Sequence, residues 1–229
     1  LALRNNLHLL DAKVRHLGTD RNRKILEKMF EITREHVETN FFTEVTGVRK
    51  NGDGTFTVSL GDSEELRARY VVLASGRSGS KWMSEICGSF GIKLQQNRVD
   101  IGVRVELPAE IFKHIPDEVY ESKLVYKTDK YNDMVRTFCM NPYGEVVAEN
   151  TNGIVTVNGH SYADKSLQSE NTNFALLVTN NFTEPFNDSN EYGESIARLS
   201  NLLGGGVLLQ RFGDLVKGRR SSARRMEKC

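Results

Sequence analysis

Ile101, Val103, Val105 and Leu107 alternate with Gly102, Arg104 and Glu106, the period of two that predicts a strand with one polar face, ended by Pro108. A different pattern, Tyr70-Val71-Val72-Leu73-Ala74 without polar interruption, predicts a strand covered on both faces, as in a parallel sheet. Glycine, serine and arginine follow at once, and Trp82, Met83, Ile86 and Phe90 then fall on one side of a helix over residues 80–90. Cys87 sits within that helix and reads as a buried, inert thiol. Upstream, Ile25, Leu26, Met29, Phe30, Ile32 and Val37 recur at helical spacing over residues 21–39, predicting an amphipathic helix with one buried stripe. Leucines at 3, 7, 9, 10 and 17 predict helical turns before it.

Turn signals divide the rest. Asn51-Gly52-Asp53-Gly54 between two β-patterned runs predicts a hairpin, and a further turn at residues 61–65 makes a three-stranded meander leading into residues 70–74. Short strands are predicted at residues 124–126, 134–140, 146–147, 154–157 and 174–178, with a short helix from residue 109. A helix opens at Asn190, carries Tyr192, Ile196, Leu199, Leu202 and Leu203 in its stripe, and closes at Gly204-Gly205-Gly206. Residues 207–209 are expected as a last strand, and the basic stretch 218–229 as a frayed tail. Helices mixed with many short strands give an α+β (mixed α/β) fold class. Three segments are expected: 1–98, 99–216 and a tail, 217–229.

Composition narrows the function classes without choosing one. A formal net charge of +1 supplies no field for steering onto nucleic acid, and no apolar run approaches membrane-spanning length. The expected partners are a small-molecule substrate and the remainder of a longer chain, with neither nucleic acid nor membrane. Cys87, Cys139 and Cys229 form no CxxC pair, which favours reduced thiols and a cytoplasmic location. The five histidines are not arranged at metal-ligand spacing. The chain starts at Leu1, so it reads as an internal piece of a longer protein.

Candidate chemistry concentrates in turns. Ser75, Gly76, Arg77, Ser78 and Gly79 join a strand to a helix start, where backbone N–H groups favour an anion; a plain structural turn accounts for the same pattern. Arg136, Cys139, Asn141, Tyr143 and Glu145 crowd a second turn, and Asn158, Gly159, His160, Ser161 and Tyr162 a third. His160 is placed either to act as general acid or base or to be a solvated surface histidine.

Several motifs in order carry a resemblance. Residues 70–79, Val99-Asp-Ile-Gly-Val-Arg-Val-Glu106, Arg136-Thr-Phe-Cys-Met-Asn-Pro-Tyr-Gly-Glu145, Val157-Asn-Gly-His160 and Gln210-Arg-Phe-Gly-Asp214 resemble bacterial FAD-dependent dehydrogenases, also labelled NAD-utilising or NAD(P)/FAD-dependent oxidoreductases. The resemblance implies the middle fragment of a flavoprotein oxidoreductase: part of a glutathione-reductase-like FAD-binding domain plus a largely antiparallel inserted domain that covers the flavin. It implies FAD as cofactor in the parent protein, with NAD(P)H as candidate electron donor and hydride chemistry on the flavin ring. Ser75, Gly76, Arg77, Ser78 and Gly79 would contact the cofactor; His160, Cys139 and Arg136 are the catalytic candidates; Arg104, Asn141, Tyr143, Asn158 and Arg211 are the substrate-site candidates. The GxGxxG fingerprint of such domains is missing, and Asn141 and Tyr143 stand where many relatives carry a second cysteine and Gly-Gly. The strand that would pair with residues 70–74 is missing with it, which predicts a sheet edge or a non-native neighbour there. The alternative function is a non-catalytic binding module using the sheet and the basic tail.

Overall fold

A computed structural model describes residues 2–10, 16–185 and 188–227. The chain divides into two compact units, one of Leu1–Lys24 with Gln96–Cys229 and one of Ile25–Gln95. Helices and antiparallel sheets together make an α+β fold. From the N-terminus, strand β1 (Leu7–Leu10) comes first and helix α1 (Thr19–Arg34) second.

In the smaller unit, β2 (Val45–Lys50), β3 (Phe56–Leu60) and β4 (Glu64–Ala68) form the antiparallel meander. Its first turn is closed by polar side chains. Asn51 N–H donates to Thr55 O (2.8 Å), Asp53 Oδ1 accepts from Thr55 N–H (3.1 Å) and Oγ1 (2.6 Å), and Arg67 pairs with Asp53. Helix α2 (Ser80–Ser89) lies on the meander through Trp82, whose Nε1 donates to Thr46 O (3.4 Å), and Phe90, whose ring meets Phe56 edge-on at 6.2 Å. Cys87 is only half-buried there, not fully enclosed.

Two sequence expectations fail in this part of the chain for one reason. Residues 70–74 form no strand and pair with none among the described residues; Tyr70 is 81% and Val72 89% exposed. Helix α1 ends earlier than its periodicity implies, and its apolar stripe of Ile25, Leu26, Met29, Phe30 and Ile32 is exposed. An apolar run becomes a buried strand or stripe only if some other element supplies a hydrogen-bonding edge or an apolar face; among the described residues no strand pairs with residues 70–74, and Phe41, edge-on to Phe30 at 5.6 Å, covers little of the α1 stripe.

The larger unit is built on a five-stranded antiparallel sheet. It combines β1 with β5 (Val99–Pro108), β6 (Lys123–Lys127), β7 (Met134–Asn141) and β10 (Asn171–Asn180), in the order β1-β6-β7-β10-β5. Leu7–Leu10 is therefore a strand rather than a helical turn: pairing with Lys123–Tyr126 outweighs leucine's helix propensity. Between β7 and β10 comes a separate hairpin, β8 (Glu145–Thr151) with β9 (Ile154–His160). The short helix α3 (Ala109–Phe112) stacks Phe112 on Phe174 of β10 at 5.2 Å. The core is small and mixes Met140, Val125, Phe174 and Ala175 with buried Asn141, Thr172, Asn173 and Thr137.

Helix α4 (Ser189–Gly204) opens with Asp188 accepting from Glu191 N–H (2.9 Å) and ends at Gly205, whose φ of +65° suits glycine. Asn201 in its last turn joins it to β9 as a strand would: Oδ1 accepts from Val155 N–H (2.9 Å) and Nδ2 donates to Val155 O (2.7 Å). Residues 207–209 form no strand. The basic tail is not frayed through residue 227. Helices α5 (Phe212–Val216) and α6 (Ala223–Met226) fold it around Asp214, a carboxylate 2% exposed.

Candidate functional site

Strand register decides which side chains share the polar face of the five-stranded sheet. Glu106, Asn173 and Asn141 lie in one row across β5, β10 and β7; Arg104, Ala175 and Phe138 lie in the next; Gly102, Leu177 and Arg136 in a third. Between the first two rows β7 carries an extra residue, so the register shifts between Asn173 and Ala175. Cys139 occupies this bulge with φ +46°, a left-handed conformation that costs a non-glycine residue about 1–3 kcal/mol. The bulge turns Met140 into the core, where it is fully buried, and returns Asn141 to the polar face opposite Asn173.

Arg104 is the centre of what gathers there. Its Nη1 donates to Asn173 Oδ1 (2.5 Å) and Cys139 O (3.2 Å), and its Nη2 donates to Asn158 Oδ1 (3.4 Å). Asn141 Nδ2 donates to Cys139 O (2.8 Å) and Asn173 Oδ1 (3.3 Å), and reaches Cys139 Sγ at 3.6 Å. The Arg104–Asn158 bond ties the β8–β9 hairpin into the network, and within the hairpin Asn158 Nδ2 donates to Glu149 Oε1 (2.9 Å). Gly159 lets the hairpin backbone approach: a Cβ there would lie 2.2 Å from Asn173 Oδ1 and 2.3 Å from both Arg104 Nη1 and Asn141 Nδ2. Asn173 is fully buried, and its Nδ2 has no hydrogen-bond partner.

Of the residues singled out from the sequence, Arg104, Cys139, Asn141 and Asn158 thus converge. Tyr143 forms the adjoining turn with φ +53°, its carbonyl accepting from Ser169 N–H (3.0 Å). His160 ends β9 opposite Glu145, and its imidazole bonds to no described residue. Arg136 shares the polar face but is held elsewhere, by Asp100 at 2.5 Å and over the Phe138 ring at 4.9 Å. Arg211 does not join the cluster; it precedes α5, and its N–H donates to Ser221 Oγ (2.9 Å). Asn173 and Glu149 are the members that sequence reading passes over. The polar triplet Asn171-Thr172-Asn173 at the head of an apolar strand is the signal that marks Asn173.

A second polar knot closes the tail. Asp214 accepts from Arg219 Nε (2.6 Å), Arg225 Nε (2.9 Å) and Ser221 Oγ (2.9 Å). Burial alone would raise its pKa, but these three donors lower it from 3.8 to about 2.

In the smaller unit the turn over Ser75, Gly76, Arg77, Ser78 and Gly79 is open to solvent, with Gly76 at φ +65° and Ser75 Oγ donating to Gly79 O (3.3 Å). A Cβ at Gly79 would lie 2.5 Å from that of Ser75, so the turn closes only with glycine there. Gly79 caps α2 without a side-chain bond.

The family model described as "FAD-dependent protein, C-terminal domain-like" matches residues 98–228, more than half of the chain and nearly all of the larger unit's sheet. The chain belongs to this FAD-dependent protein family. An uncharacterized protein of Clostridium beijerinckii is 29% identical over 226 residues, an alignment that covers 90% of this chain and 42% of the relative. The chain therefore spans about two fifths of that relative. The Arg104 network lies wholly inside the segment that defines the FAD-dependent family, whereas the turn at residues 75–79 lies outside it.

Proposed function

We propose that this chain is the middle part of a FAD-dependent oxidoreductase. Residues 99–216 present a substrate surface, and Ser75, Gly76, Arg77, Ser78 and Gly79 contact the flavin. The observation that carries the reading is the Arg104 network. A bulged strand, a strained Cys139 and a close-approach glycine hold one cation and three amides in fixed positions within the family segment. Such rigidity suits a binding surface. The 75–79 turn fits a flavin contact because its backbone is open and its glycines admit close approach to a phosphate or ring edge. When bound, FAD supplies hydride chemistry, with NAD(P)H the candidate donor; this chain's residues supply position and charge.

The non-catalytic alternative would draw on the exposed Lys217, Arg220 and Arg224 of the basic tail, because Arg219 and Arg225 pair with Asp214.

The expected outcome with FAD follows from what the chain contains. The turn offers one cofactor contact, and no GxGxxG segment occurs in the sequence to hold the pyrophosphate. After gel filtration with excess FAD, the 229-residue chain is expected to elute without visible flavin absorbance, while a protein of the relative's length elutes yellow. A stoichiometric yellow complex of this chain would overturn the assignment of the pyrophosphate site to other residues. A colourless longer protein would overturn the flavoprotein reading itself.

A further inference from the structure

Arg104 is half-buried, and all of its acceptors are neutral. A guanidinium has five N–H groups; a carbonyl and two side-chain amides take three hydrogen bonds from it. No carboxylate among the described residues pairs with it, and Glu149 is reached only through Asn158. Asn173 adds to the imbalance. Its Oδ1 accepts from both Arg104 and Asn141, which fixes the amide orientation and leaves Nδ2 buried without an acceptor. Arg104 thus has more N–H groups than the acceptors it meets and no carboxylate bonded to it directly, and Asn173 adds a buried donor without an acceptor.

A clamp between a hairpin and a sheet does not need such a charge. Half-burying a guanidinium carries a desolvation cost, and neutral oxygens return less of it than an ionised acceptor would. Elsewhere in this chain arginines bond directly to a carboxylate: Arg136 to Asp100, and Arg219 and Arg225 both to Asp214. Arg104 stands apart from them.

We propose that Arg104, seated among Asn141, Asn158 and Asn173, is a binding site for an oxyanion, the carboxylate or phosphate of a small-molecule substrate. The planar fork of arginine matches either group through two parallel bonds, and the amides hold that fork in place. Asn158 and Gly159 lie on the β8–β9 hairpin, so the hairpin's seating on the sheet controls the geometry of the fork. That the oxyanion belongs to a substrate rests on the flavoprotein reading; that the site takes an oxyanion does not.

The test uses the 229-residue chain labelled with 15N, following the Arg104 Nε–Hε resonance. Sodium acetate, inorganic phosphate and neutral acetamide are titrated at matched ionic strength, with sodium chloride as the control. Acetate or phosphate is expected to shift the resonance saturably, and acetamide and chloride are not. Saturation by acetate alone assigns a carboxylate, and by phosphate alone a phosphate. In Arg104→Met and Arg104→Lys, where the Nε–Hε probe is lost with the arginine, binding is followed through the backbone amide resonances of Gly159 and Asn173; Arg104→Met is expected to weaken it at least tenfold, about 1.4 kcal/mol. Arg104→Lys keeps the charge without the fork and falls between the two. Asn173→Asp, which gives Arg104 an internal carboxylate, should abolish the response. If a variant does not fold, the wild-type comparison of acetate with acetamide decides alone. Absence of a saturable shift with both anions, or full-affinity binding that persists in Arg104→Met and Asn173→Asp, would overturn the site. A longer protein without flavin but with Arg104-dependent anion binding would sink the flavin reading and leave this site standing.

Discussion

A methyl group at Gly159 would meet three polar side-chain ends at once, all within 2.3 Å, and each is tied to the others by hydrogen bonds. Asn173 Oδ1, Arg104 Nη1 and Asn141 Nδ2 are joined in one hydrogen-bonded group, so the overlap cannot be relieved by moving one of them. Gly159→Ala is therefore expected to lower the unfolding free energy by about 1–3 kcal/mol, read from urea denaturation at an unchanged m-value. An unaltered midpoint would mean the hairpin is not seated as described. Gly88 makes the opposite case. It lies inside α2 without positive φ, and nothing comes within 4 Å of the position a Cβ would take. Gly88→Ala should stabilise by about 0.4–1 kcal/mol by restricting the unfolded chain, and a lower urea midpoint would contradict that.

At the scale of elements, the tail owes its fold to one carboxylate. Asp214 gathers donors from positions five, seven and eleven residues onward, and α6 has no buried residue of its own. Asp214→Asn is expected to lower the melting temperature and expose α6 to hydrogen exchange. Acid should show the same dependence. The folded-state pKa is depressed from 3.8 to about 2, so the stabilisation is complete above pH 3.8 and is lost as pH falls through 2. The melting-temperature gap between wild type and Asp214→Asn should accordingly be constant above about pH 4 and narrow between about pH 4 and 2. A gap independent of pH would show that Asp214 does not carry the charge that organises the tail.

The same tail shows what could be read from the sequence and what could not. The alternation of β5, the Asn-Gly-Asp-Gly hairpin and the glycine stop of α4 were legible because each is a local pattern with a local cause. The folded tail was not, because a basic stretch without apolar period gives no sign of an aspartate waiting upstream. Leu7–Leu10 reads as helical until β6 lends it an edge. In the site, Arg104 stands out on the polar face of an alternating strand, and Asn141 and Asn158 as polar residues next to turns, whereas Asn173 is concealed at the head of an apolar strand. Its importance comes from the register with β7, and register is a property of two strands.

For the molecule as a whole, the exposed apolar residues allow a test of whether this chain belongs to a longer protein. Val72 is 89% exposed and Tyr70 81%, and Ile25, Leu26 and Met29 of α1 present a bare stripe. Continuous apolar exposure of this kind marks a surface that another element covers. If the flavoprotein reading holds, residues 70–74 become a paired, covered strand in a protein of the relative's length. Val72→Lys then has two different expected costs. In the 229-residue chain it changes an exposed side chain and should move the unfolding free energy by no more than about 0.5 kcal/mol. In the longer protein it removes a buried valine and places a charge in the sheet, with a loss of at least about 1.5–3 kcal/mol from the apolar burial alone. Urea midpoints of the four proteins, wild type and variant at each length, give both numbers. A small effect at both lengths would mean that residues 70–74 stay uncovered, and the flavin-facing role of the 75–79 turn would lose the strand that positions it.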